Sequence, residues 1–159
     1  MQRLTAALIL AMGLLVCAST SAQVRVAVLG VGGHASTMAA MLTDDQDFAD
    51  IQATGIELNN LSSISQLDGY DVVLGASDGG FNRGAIVGDI LADFVDSGRG
   101  VVLAVFMQQI SIDIQGRWRT DGYDIVPAQN DNQYSGSTLG EVFEPGHPIM
   151  EGVEALAVT

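Results

Sequence analysis

Short, nearly continuous apolar runs dominate the chain and leave few folds open to it. The clearest are Val24–Val31 (VRVAVLGV), Asp71–Ala76 (DVVLGA) and Val101–Phe106 (VVLAVF). Runs of this length, rich in valine and bounded by glycine or polar residues, are typical of strands buried on both faces of a parallel sheet. A weaker run, Ile51–Leu58, is interrupted by polar residues and predicts a further strand between the first two.

Two helical segments separate these predicted strands. Gly32-Gly33 ends the first strand before a helix of roughly residues 35–43. Gly84–Ser97 predicts a second helix, and the glycines on either side of Arg99 stop it. One broad face of that helix carries Ile86, Val87, Ile90, Leu91, Phe94 and Val95, and the opposite face carries Asp89, Asp93 and Asp96.

The alternation of strands and helices predicts an α/β fold with right-handed crossovers. We expect a flavodoxin-like, open parallel sheet in three α/β/α layers. Such a sheet normally continues to a fifth strand and a closing helix, whereas here Val153–Val158 is the last apolar run before Thr159. The sheet is therefore expected to be incomplete on its C-terminal side, with an apolar edge strand that invites aggregation or a partner.

The first 22 residues have the pattern of a secretory signal peptide: Arg3, then the apolar stretch Leu4–Val16, then small and polar residues ending at Ala22. The apolar stretch is shorter than the roughly 20 residues that span a bilayer. We therefore expect a mature domain of residues 23–159, secreted to the periplasm or outside the cell, with no membrane contact after cleavage. Acylation of Cys17 as a lipoprotein is disfavoured, because Val16 stands where a small residue is usual.

The mature domain is strongly acidic. Nineteen acidic residues oppose six arginines; because Arg3 lies in the signal, the mature domain keeps five, and its net charge is −14. A field of this sign opposes nucleic acid and anionic membrane surfaces, so neither is predicted as a partner. The only cysteine, Cys17, also lies in the signal, so we expect neither a disulfide nor thiol chemistry in the mature domain.

Several segments resemble the class I glutamine amidotransferase-like superfamily, especially its secreted bacterial and trehalose-utilisation-type members. They are GYDVVLGASDGGF, the helix GAIVGDILADFVDSGRG, the strand VVLAVF and the later GHPIMEG. The resemblance covers about Val24–Val153 and implies a flavodoxin-like fold. In catalytic members, a cysteine lies in a Gly-x-Cys-x-Gly turn after the strand that matches Val101–Phe106, and a histidine and an acid follow much later in the chain.

That turn lacks a nucleophile in this chain. Residues 105–109 read Val-Phe-Met-Gln-Gln, with no cysteine, serine or flanking glycine. Acyl transfer from glutamine requires a nucleophile held beside backbone donors that stabilise the oxyanion. The later histidine and acid of the family would lie beyond Thr159. The sequence therefore predicts no catalytic residues and no glutaminase activity.

Candidate ligand-binding residues follow the predicted strands, at the sheet edge where open α/β folds bind ligands. They are Gly32, Gly33, His34, Ser77, Asp78, Met107 and Gln108, with His147 of the family's Gly-His-Pro stretch. The alternative interpretation is that these are ordinary loop residues. His34, Asp78 and His147 have the chemistry of a metal site, but a turn fixed by Pro148 is favoured for His147, and no metal or cofactor is predicted.

Two further motifs leave alternatives open. Gly30 to Ala35 fits G-x-G-x-x-A, the dinucleotide fingerprint, with Glu57 as a candidate for a ribose hydroxyl. A tight strand-to-helix turn is favoured, because nicotinamide cofactors are scarce outside the cytoplasm. Trp118, flanked by two arginines, forms with Tyr123 and Tyr134 either an aromatic platform for a sugar or a second domain, or a small satellite core.

These observations predict a non-catalytic binding or interaction module of a secreted or surface protein. Its expected partner is a carbohydrate or another protein domain. Two alternatives stay open at this point: a sugar-active enzyme of the trehalose-utilisation type that uses His34, Asp78 and His147, and a dinucleotide-binding protein.

Overall fold

The computed structural model describes residues 22–77, 79–104, 106–109, 114–125, 137–138, 146 and 157–158. Its strands are β1 (Val24–Gly30), β2 (Ile51–Glu57), β3 (Val72–Ala76), β4 (Gly100–Ala104), β5 (Ser137–Thr138) and β6 (Ala157–Val158). Its helices are α1 (His34–Asp44), α2 (Gly84–Asp96) and α3 (Arg117–Thr120), with 3-10 turns at Gln46–Phe48, Leu58–Asn60 and Ile64–Leu67. The predicted signal peptide, except its last residue Ala22, lies outside the described residues.

The first four strands form one all-parallel sheet in the order β2-β1-β3-β4. This confirms the predicted α/β class, and the order matches the first four strands of a flavodoxin-like sheet. Residue Val26 is paired with Ala53 on one side and with Val72 on the other. β1 is therefore the strand from which the chain turns in both directions, and the crevice between the ends of β1 and β3 is the topological switch point.

Helices cover both faces of the sheet, as a three-layer arrangement requires. Successive residues of β1 point to opposite faces: Val26 and Val28 pack in a cluster with Ala39 of α1, whereas Ala27 and Leu29 belong to the larger core that includes α2. Because both faces of β1 are buried, its sequence is apolar at nearly every position rather than at alternate ones.

Helix α2 buries most of the face that the sequence predicts. Val87, Ile90, Leu91 and Phe94 are buried and Val95 packs against the core, but Ile86 is 40% exposed. Gly88 is also buried, and a Cβ at this position would lie 1.7 Å from the carbonyl oxygen of Gln115. The segment before α3 therefore packs directly on the backbone of α2.

Arg117 fastens α3 to the acidic face of α2. Its guanidinium forms ion pairs with Asp93, with Asp96 at 2.8 Å and with Asp121 at 3.0 Å, while Tyr123 donates its hydroxyl hydrogen to Asp96. The hydrogen bonds from Tyr123 and Arg117 lower the pKa of Asp96, and those from Arg117 and Thr120 lower that of Asp121. The aspartates that the sequence places on a polar helix face thus hold a neighbouring helix.

Strand β4 lies at the edge of the sheet. Its residues Val101 and Leu103 pack toward the α2 side, whereas Val102 points to the opposite face and is 53% exposed. Of the predicted element Val153–Val158, only Ala157–Val158 is described, and it pairs antiparallel with β5 rather than with β4. Within the described part of the chain, β4 therefore has one strand neighbour, β3.

No helix among the described residues has both the length and the apolar character that a membrane crossing requires.

Replacing Gly55 by alanine should destabilise the fold. A Cβ on this β2 residue would lie 2.6 Å from the backbone nitrogen of Ser36, and a helix backbone cannot swing aside as a flexible side chain does. We expect urea unfolding to show a loss of about 1–3 kcal/mol. The control is Gly100→Ala in β4, where the nearest atom to the new Cβ is Val72 Cγ2 at 3.8 Å; equal stability of the two variants would contradict the close packing of α1 on β2.

The Arg117 cluster should make stability depend on pH in the acid range. The pKa values of Asp96 and Asp121 are lower in the folded state than the ordinary 3.8. Their stabilising contribution is therefore present above that value and is lost as the pH falls through the lower folded pKa. The difference in Tm between the wild type and Arg117→Gln should be steady near neutral pH and narrow below about pH 4.

The control for this experiment is Arg83→Gln. Arg83 donates to the carbonyl oxygen of Asn59 rather than to a carboxylate, so this variant reports only the effect of one lost positive charge on an acidic protein. The difference in Tm from the wild type should narrow more at acid pH for Arg117→Gln than for Arg83→Gln. Equal narrowing in the two variants would show that the ion pairs around Arg117 contribute no specific stability.

Candidate functional site

The turn from β1 into α1 forms one wall of the candidate site. Gly32 and Gly33 have φ values of 62° and 88°, which L side chains rarely adopt, and Gly33 precedes the first helical residue, His34. Gly30 is required by packing, because a Cβ there would lie 3.0 Å from the nitrogen of Ala35 and 3.1 Å from the carbonyl oxygen of Ala76. Close packing at Gly30 and the positive φ of Gly32 thus account for the two glycines of the G-x-G-x-x-A motif without a bound dinucleotide.

The loop after β3 forms the opposite wall. Ser77 is buried, and its hydroxyl donates to the carbonyl oxygen of Gly79 and accepts from the backbone nitrogen of the same residue. This pair of bonds holds Ser77 against Gly79. The residue between them, Asp78, lies outside the described residues. Ser77 therefore shapes the loop, and its hydroxyl is occupied by the backbone.

The two walls meet at the switch point. A Cβ on Gly79 would lie 3.3 Å from Val31 Cγ2, so the loop after β3 reaches the end of β1. Asn59, which follows β2, joins this strand end to the segment before α2. Its side-chain oxygen accepts a hydrogen bond from the backbone nitrogen of Asn82, and its carbonyl oxygen accepts one from the Arg83 side chain. We call the space between Gly32–His34 and Ser77–Gly79 the switch-point crevice. His34 is exposed at its rim.

The structure brings together some of the predicted site residues and separates others. Gly32, Gly33, His34 and Ser77 lie at the switch-point crevice, as predicted for the carboxyl ends of parallel strands. Met107 does not reach solvent: it is buried in the main core, and its side chain is the nearest neighbour of Gly75. Met107 is thus a packing residue. The predicted residues Asp78 and His147 lie outside the described residues.

Gln108 lies beside β4. It lines two cavities there: a small one of about 140 Å³ with Leu103, Ala104, Phe106 and Met107, and a larger one of about 400 Å³. The larger cavity, here named the Arg99 groove, lies along β4 on its α2 side and is lined chiefly by Val95, Arg99, Val101, Leu103, Trp118 and Ile125. The sequence analysis missed this groove.

Phe106 has an unusual backbone conformation. It is the one non-glycine residue with positive φ among the described residues, at 58°, and its side chain is 37% exposed. A bulky residue in the left-handed region is a true outlier, costing about 1–2 kcal/mol, and such strain concentrates at functional sites. Phe106 begins the Phe106-Met107-Gln108 turn after β4, where the sequence resemblance places a nucleophile.

Trp118, the first ring of the aromatic segment, belongs to the main core and not to a separate satellite core. Trp118 is buried in the main core and stacks on Tyr123 with ring centroids 5.7 Å apart. A platform that offers the Trp118 ring to a sugar is therefore wrong. Tyr134, the third ring of that prediction, lies outside the described residues.

Within the described part of the chain, no group of three or more histidine, cysteine or carboxylate side chains is close enough to hold a metal ion.

Comparisons with protein family models, with curated proteins and with solved structures returned no match. The resemblance to glutamine amidotransferases therefore stays a prediction from the sequence.

The strain at Phe106 can be measured with a matched pair of substitutions. Glycine is free to adopt φ 58°, whereas alanine is not, so Phe106→Gly should be more stable than Phe106→Ala by about 1 kcal/mol. At Gln108, whose φ is not positive, the usual order should hold, with alanine more stable than glycine by about 0.5–1 kcal/mol. Urea unfolding of the four variants tests this, and the same order at both positions would argue against a left-handed Phe106.

Proposed function

We propose that this protein is a non-catalytic binding module of a secreted or surface protein, related to the glutamine amidotransferase-like superfamily. The observation that carries the proposal is Phe106. It has the positive φ of a strained turn after a parallel strand, as a nucleophile elbow does, yet it offers only a phenyl ring. The turn thus supports binding at this edge of the sheet and not acyl transfer.

We propose a neutral carbohydrate as the ligand of the switch-point crevice. The groups at the crevice include the backbone amides beside Gly32 and Gly33 and the exposed imidazole of His34, which suit hydroxyl groups as donors and acceptors. The chain carries a net charge of −13, which disfavours anionic ligands. Secretion, supported by Arg3 and the apolar stretch after it, would place the domain where glycans are abundant.

The test is a glycan array probed with the full chain, followed by calorimetric titration of each glycan that binds. His34→Ala should weaken binding by about tenfold or more, because it removes a hydrogen-bonding group from the crevice. Asp78→Ala tests the prediction from the sequence that this carboxylate also binds the ligand. Gln52→Ala, an exposed position on β2, should leave binding unchanged. A stably folded protein that binds no glycan would contradict the carbohydrate ligand.

The same samples test the absence of catalysis. Chromatography of glutamine and of each bound glycan after prolonged incubation should show no product. Product formed by the wild type and lost in His34→Ala or His147→Ala would instead establish an enzyme, with the trehalose-utilisation type as the first candidate. Quenching of NADH fluorescence by the wild type would point to the dinucleotide alternative.

A further inference from the structure

Arg99 is held in place at the Arg99 groove by three contacts with neutral groups. Its Nε donates to Ser97 Oγ at 2.7 Å, one terminal nitrogen donates to the carbonyl oxygen of Leu67 at 3.0 Å, and the guanidinium carbon lies 3.9 Å from the centre of the Phe94 ring. A guanidinium that is fixed before a ligand arrives loses little entropy on binding.

The nearby carboxylate of Asp71 interacts with the charge of Arg99 but is hydrogen-bonded to and paired with Arg25. The described ion pairs use Arg25 and Arg117, and none of them includes Arg99. Of the five N–H donors of a guanidinium, two are used by Ser97 and Leu67, which leaves three. The protein has a net charge of −13, so an arginine that forms no described ion pair and lies beside a largely apolar cavity needs a physical explanation.

Trp118 gives a second, independent sign of a missing acceptor. Its side chain lines the Arg99 groove and is buried, and its Nε1–H has no hydrogen-bond acceptor. Leaving a buried donor unsatisfied costs about 1–3 kcal/mol, and native structures contain few such groups. The Trp118 indole is therefore a second donor at this groove that has no acceptor among the described residues.

Apart from Gln108 and Tyr123, the other described side chains that line the groove are apolar. Val101 and Leu103 of β4 form its floor, Val95 of α2 forms one side, and Ile125, 96% exposed, stands at its mouth. A volume of about 400 Å³ lies within the range of small-molecule sites. The groove thus combines a largely apolar body with a fixed positive charge and an indole donor that has no described acceptor.

We propose that the Arg99 groove binds a small apolar monocarboxylic acid. The carboxylate accepts hydrogen bonds from the free edge of Arg99, the geometry that a guanidinium and a carboxylate share, and the apolar part packs on Val101, Leu103 and Trp118. We expect the ligand to carry only one negative charge, because the carboxylates of Asp93, Asp96 and Asp121 around Arg117 lie nearby and would repel a second one. This site is separate from the switch-point crevice.

The only tryptophan in the chain makes the proposal directly measurable. We would titrate the full chain with hexanoate and phenylacetate, and with the neutral amides hexanamide and phenylacetamide. Fluorescence of Trp118 and the NMR resonance of its indole N–H report binding at the groove. The acids should produce saturable changes, and the amides should bind at least about tenfold more weakly, because they lack the charge that strengthens hydrogen bonds to Arg99.

Two arginine variants separate the local site from the overall field. Arg99→Gln should weaken binding of the acids by about ten- to a hundredfold, whereas Arg83→Gln, which removes the same charge from an arginine that donates to the carbonyl oxygen of Asn59, should leave it unchanged. Equal binding of acids and amides, full binding by Arg99→Gln, or no response of Trp118 to either acid would overturn the proposal. Should Arg99→Gln fail to fold, the comparison of acids with amides on the wild type decides.

Discussion

The fold depends on how closely helix α1 lies against the sheet. Gly30 and Gly55 provide no Cβ where the backbone of residues 35–36 passes, and Ala35 and Ala39 keep the helix side of the contact small. Because α1 is seated there, the turn before it must leave β1 through two left-handed glycines. The same close contact therefore buries one face of β1, while α2 covers the other, and it holds the wall of the switch-point crevice in place.

Local sequence patterns predicted the elements of the sheet because each strand is a short apolar run that needs no distant partner to be recognised. β1 and β4 begin and end within two residues of the predicted positions. The burial of Gly88 in α2 was harder to predict, since it depends on a contact with Gln115, 27 residues away. Ile86 fits the helical spacing of the buried apolar residues, yet it is 40% exposed.

The candidate site was predictable to the extent that parallel topology determines it. Residues that follow β1 and β3 must meet at one edge once those strands are neighbours, and Gly32 and Ser77 do so. Met107 follows β4 in the same way but turns into the core. The Arg99 groove had no local signal, because Arg99, Leu103 and Trp118 come together only when α3 docks on α2.

Strand β4 has a consequence for the protein in solution. With Val102 uncovered on one face and a single strand neighbour among the described residues, this flank is a template on which another copy can pair. Mutual repulsion between molecules of net charge −13 opposes that encounter. Dissolved ions shorten the reach of this repulsion to about 8 Å at physiological ionic strength. The acidity of the chain therefore opposes self-association through β4, and this protection weakens as the salt concentration rises.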